Sequence, residues 1–109
     1  MSKLGTLAFK NNEGHTYDFA IFQMDSEFKP GHGGVYIITS RHDDDHHHHG
    51  HKVICIGETD DMSTVLQDHP MQAEFETQNA NCCCVHATQD AAARERIAGE
   101  LIEKYLNKN

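Results

Sequence analysis

The sequence predicts an α+β fold in one domain. Three observations carry this: an N-terminal segment of alternating apolar residues, short β-branched runs of strand length in the middle, and an amphipathic stripe of helical period at the end. At 109 residues the chain is long enough for one hydrophobic core and short for two. Residues 1–109 are therefore read as a single domain.

From Thr6 to Phe22, Leu7 and Phe9 alternate in one stretch and Tyr17, Phe19 and Ile21 in the next. The turn-forming residues Asn11 to Gly14 lie between them, so residues 1–30 predict an N-terminal β-hairpin extension. Pro30 and the glycines after it end regular structure and open a second unit. Gly34 to Ser40 and Lys52 to Gly57 are β-branched runs that predict paired strands. Beyond Gly57, acidic residues and Ser/Thr around Met62, Val65 and Leu66, closed by Pro70, predict a short helix. Asn81 to Thr88 is compact and apolar and predicts a third strand. In the final segment Ala93, Ile97, Leu101 and Tyr105 recur at helical spacing, Ile102 widens the stripe, and Glu100 precedes Lys104 at the favourable i, i+4 offset.

Charge bounds the partners. Nine Lys and Arg against 17 Asp and Glu give a formal charge of −8, and the basic residues are scattered along the chain. Such a field repels a phosphate backbone, which disfavours nucleic acid and favours a protein partner. No segment is apolar enough for a signal peptide or a membrane span, so a cytoplasmic home and no membrane partner are expected. Cys55 and the consecutive Cys82, Cys83 and Cys84 fit neither a disulfide framework nor a zinc finger, and small buried thiols pack like other small apolar groups.

Residues 41–51 form a His/Asp-rich loop between the two paired strands. Its imidazoles and carboxylates suit Zn²⁺, Ni²⁺ or Cu²⁺. A structural zinc site needs four placed ligands, whereas a repetitive run supplies interchangeable ones. The expectation is a solvated loop, with His46, His47, His48, His49 and His51 as weak ligands for Zn²⁺ or Ni²⁺.

The order of a strand with "GVY", a loop, a strand ending "CIG", "GETDDM", a later His and a long helix with "LIEKYLN" resembles the GIY-YIG nuclease superfamily over residues 33–109. The resemblance implies a small antiparallel three-stranded sheet flanked by helices, and phosphodiester cleavage with one divalent cation, Mg²⁺ or Mn²⁺. It carries the first motif's tyrosine to Tyr36, the second motif's glycine to Gly57 and a site histidine to His69. Departures are equally specific. Cys55 replaces the second tyrosine, the first-helix arginine falls at Thr64 or Val65, and the metal-binding glutamate falls at Ala98. Glu95, one turn earlier on the same helical face, is the remaining carboxylate that could serve, and Arg94 the remaining cation. The chain thus resembles a degenerate member, and its expected function is that of a non-catalytic interaction module. The alternative is a divergent metal-dependent endonuclease using Tyr36, His69 and Glu95; a third reading is a His-rich transition-metal-binding protein.

Overall fold

The computed structural model describes residues 3–43, 49–66 and 69–106. In chain order the elements are β1 (Lys3–Lys10), β2 (Thr16–Gln23), β3 (Gly34–Asp43), β4 (His49–Thr59), a 3-10 turn (Met62–Thr64), α1 (Gln72–Thr77), β5 (Cys82–Ala87) and α2 (Ala91–Tyr105). The five strands make one antiparallel sheet in the order β1-β2-β5-β3-β4. The sheet is therefore wider than the three strands expected from the sequence. β2 hydrogen-bonds along β5 from Ala20↔Val85 to Gln23↔Cys82, which draws the first two strands into the same sheet.

Side-chain alternation divides the core into two clusters. Ile21, Cys84, Ile37 and Ile56 lie opposite one another across four strands and face α2, where they meet Ile97, Ala98 and Leu101. Their neighbours Tyr36, Ile38, Cys55 and Cys83 face the other way, onto Met62, Val65 and Phe75. A bulge between Ile38 and Thr39 lets β4 present both Ile54 and Cys55 to this second cluster.

α2 starts where Asp90 accepts a hydrogen bond from the Ala92 N–H at 3.0 Å, an N-cap. Its packed face is narrower than the sequence stripe, because Leu101 is fully buried while Ile102 is 37% exposed. The far end of α2 is pinned to β1 and β2. The buried Asn11 donates to Glu100 Oε1 at 2.8 Å, the Tyr17 hydroxyl donates to Glu100 Oε2 at 3.0 Å, and the Lys10 N–H donates to the Tyr105 hydroxyl at 3.3 Å.

Two other expectations change. The helix expected around Met62 to Leu66 is a single 3-10 turn, capped by Asp61, which accepts from the Ser63 N–H at 2.9 Å. The helix of this region, α1, instead follows Pro70 and buries Phe75. It ends at Asn79, whose φ of 58° is the left-handed conformation, with Ala80 N–H donating to Phe75 O at 2.8 Å and Asn79 N–H to Glu76 O at 3.3 Å. The stretch read as a loop at 41–51 is also partly strand, since Arg41↔His51, His42↔Gly50 and Asp43↔His49 continue the β3–β4 ladder. Residues 44–48, with His46, His47 and His48, lie outside the described residues.

The sheet curls. Leu7, Ala8 and Phe9 of β1 and His51, Lys52 and Val53 of β4 border one hollow of ≈500 Å³, although β1 and β4 are its two outermost strands.

Candidate functional site

Tyr36 stands in the middle of the sheet, paired with Gly57 on one side and Val85 on the other. Its ring lies over Gly57, so close that a β-carbon there would meet the ring carbons and the hydroxyl. The absence of a side chain at Gly57 is what lets the tyrosine lie flat across β4.

The segment after the 3-10 turn brings His69 to this ring. Tyr36 Oη and His69 Nε2 are 2.9 Å apart, and the rings meet edge to face at 5.8 Å. On its other side His69 packs against Phe75 at 5.0 Å. Its Nδ1 accepts from the Met71 backbone N–H at 3.0 Å. That bond assigns the tautomer: with Nδ1 accepting, the proton of a neutral imidazole sits on Nε2, which donates to the tyrosine oxygen. The Tyr36 O–H is then left to donate outward.

Both groups are held in their uncharged forms. Burial pushes the Tyr36 hydroxyl up to about 12, with Cys55, Cys83 and Glu58 adding to the rise, and burial lowers His69 below its ordinary value. A general base near neutral pH must offer a bare lone pair to the proton it takes. Tyr36 is protonated there, and the bare nitrogen of His69 is occupied by Met71. In this arrangement the Tyr36 hydroxyl offers its proton to the hollow.

The two residues line an open hollow of ≈560 Å³ together with Cys55, Glu58, Val65 and Met71. No Lys or Arg lines it among the described residues. Val65, at the arginine position implied by the resemblance, is buried in the cluster around Tyr36, and Thr64 bonds back to the Asp61 carbonyl at 3.2 Å.

Glu95 does not join Tyr36 and His69. It is exposed on α2, whose packed face of Arg94, Ile97, Ala98 and Leu101 lies on the side of the sheet opposite Tyr36. The period-two alternation of β3 decides this, because Val35 and Ile37 take the α2 side and leave Tyr36 the other. Ala98 sits inside the core rather than beside Tyr36.

Sequence reasoning passed over Glu58, the carboxylate at the rim of the hollow. Its Oε2 is 2.9 Å from Nε of the buried Arg94, whose Nη1 also donates to the Thr88 carbonyl at 3.3 Å. The signal available was strand length: β4 runs to Thr59, so "GET" is strand and Glu58 alternates onto the α2 side.

Of the histidines proposed as metal ligands, His49 and His51 fall within β4. Nδ1 of His51 is 2.8 Å from the hydroxyl of the fully buried Thr39. Among the described residues no three His, Cys, Asp or Glu side chains are grouped to hold a metal ion. All four cysteines are free and buried. Cys55 and Cys83 flank Ile38 from opposite sides, so β3 separates them, and burial pushes the Cys83 thiol up and that of Cys84 up to about 12. No helix is long and apolar enough to cross a membrane among the described residues.

Comparison of the chain with protein-family models, with curated proteins and with solved structures finds no match.

Proposed function

We propose that this chain is a non-catalytic interaction module built on a GIY-YIG-like core at residues 33–109, with β1 and β2 as an N-terminal addition, and that its partner is a protein. The observation that carries this reading is the Tyr36–His69 pair, in which every nitrogen of the imidazole is engaged and the hydroxyl keeps its proton. A hollow with a phenol donor, an apolar floor and, among the described residues, no lysine or arginine suits a neutral or carbonyl-bearing surface better than a phosphodiester. The formal charge of −8 points the same way.

The endonuclease reading needs a carboxylate free to hold Mg²⁺ or Mn²⁺ beside Tyr36. Among the described residues Glu58 is the carboxylate that lines the hollow, and Arg94 is paired with it. The deciding experiment is incubation of supercoiled plasmid and single-stranded DNA with the protein and Mg²⁺ or Mn²⁺. No nicking above a metal-only control is expected. Cleavage that disappears in both Tyr36→Phe and Glu58→Gln would overturn the reading.

A further inference from the structure

We propose that the seam between β1 and β4 receives an extended acidic segment of a partner protein as an added strand. This rests on the reading of the chain as a protein-binding module, and it names a site away from the Tyr36 hollow.

The geometry begins with the curl of the sheet. β1 and β4 each pair with one neighbour, so each has an outer edge beyond the ladder. Three consecutive residues from each strand border the same hollow. Side chains of consecutive strand residues point to opposite faces, so a strand offers three in a row to one space only along its edge. The hollow is thus framed by backbone on two sides.

The direction of that backbone can be read on β1. The Asn11 N–H donates inward to the His15 carbonyl at 2.9 Å, whereas the Lys10 N–H points out to the Tyr105 hydroxyl. With a period of two, the N–H and C=O of Ala8 also point outward, into the seam. Ala8 is exposed, so these groups meet solvent and stay available for pairing at an open strand edge. An extended chain supplies donors and acceptors at strand spacing, which neither a small ligand nor a helix does.

The side chains define the composition of that strand. Leu7, Phe9, Val53 and Tyr105 give the seam an apolar floor, and His51, Lys52 and Lys104 give it basic groups. No acidic residue lines it among the described residues, in a chain whose formal charge is −8. Local charge opposite to the overall charge selects an acidic partner that the remaining surface would repel. Alternating acidic and β-branched residues match both faces of such a site.

The test is fluorescence anisotropy with a fluorescein-labelled Glu/Val alternating heptapeptide, the same peptide N-methylated at alternate backbone positions, a Lys/Val counterpart and a labelled oligo-dT. The Glu/Val peptide should bind at low salt, the Lys/Val peptide about tenfold more weakly or worse, and the N-methylated peptide about tenfold more weakly. Lys52→Glu should weaken binding about tenfold. Ala8→Pro removes an outward N–H without touching the β1–β2 ladder and should weaken binding roughly threefold to tenfold. Circular dichroism establishes that both variants stay folded, and if either unfolds the N-methylated peptide decides alone. The proposal is overturned if the Glu/Val peptide does not bind, if N-methylation or Lys52→Glu leaves affinity unchanged, or if oligo-dT binds more tightly. A dimer in sedimentation that Ala8→Pro dissociates would give the seam to a second copy and likewise overturn it. Each of these results is independent of DNA cleavage, which tests the module reading by itself.

Discussion

The guanidinium of Arg94 reaches from α2 to β4 and meets the Glu58 carboxylate at 2.9 Å, with 7% of the arginine side chain and 32% of the glutamate exposed. Gly33 leaves room for this crossing, since a β-carbon there would stand 2.9 Å from Arg94 Nη1. Arg94 is thereby a strut between helix and sheet edge. Removing the acid leaves a buried cation with the Thr88 carbonyl as its described partner, so Glu58→Ala should cost about 1.5 to 3 kcal/mol in denaturant unfolding. Glu58→Leu combined with Arg94→Met should recover part of that loss, because no buried charge remains unpaired.

Gly57→Ala places a β-carbon within the Tyr36 ring. The rigid ring has to swing away and give up its contact with His69. The expected loss is about 1 to 3 kcal/mol. In the double variant Gly57→Ala/Tyr36→Ala the clash is gone, and the two losses should fall well short of additive in chemical denaturation. Additive losses would mean that the ring does not rest on this glycine.

The pH dependence of stability should carry two signatures of the Tyr36–His69 pair. Tyr36 moves from 10.0 to about 12 on folding, mainly through burial. The folded state holds a proton that the unfolded chain releases, so its stabilisation is complete below pH 10 and is lost as pH rises toward 12. His69 is lowered from 6.5 by burial. Here the unfolded chain takes the proton first, so stability present above pH 6.5 declines as pH falls through the interval below it. Urea midpoints should therefore fall less between pH 7.5 and 5 in His69→Phe than in the parent, and less above pH 10 in Tyr36→Phe.

Leu101 and Ile102 are neighbours with opposite environments, 0% and 37% exposed. Leu101→Ala should cost about 2 to 5 kcal/mol. Ile102→Ala should stay within about 0.5 kcal/mol. Equal small losses in equilibrium unfolding would mean that α2 is not seated on the sheet.

The sequence made α2 and the apolar parts of β3, β4 and β5 legible, because buried faces impose a period and β-branched residues mark strands. The outer turns of β3 and β4 were hidden. Arg41, His42, His49 and His51 carry no apolar alternation, and it is the β3–β4 pairing that places them in strand. α1 was hidden for a related reason, having a single buried anchor in Phe75. The resemblance named Tyr36 and His69 separately, and their contact at 2.9 Å is a product of the fold that no spacing encodes. Glu95 was misplaced because the face of the sheet that α2 covers is a tertiary fact that helical spacing cannot contain. The seam depends on curl, which no local pattern encodes.

The strand order has a consequence for how the chain reaches this structure. β5 is last in sequence and central in the sheet, lying between β2 and β3. The pairs β1–β2 and β3–β4 close over short spans, but they stay apart until Cys82–Ala87 has left the ribosome and slotted between them. Until then β2 and β3 each carry an open inner edge with Ile21 and Ile37 uncovered. Nascent chains stalled before residue 82 should thus be the aggregation-prone species, and insertion of the cysteine strand the slow step of refolding.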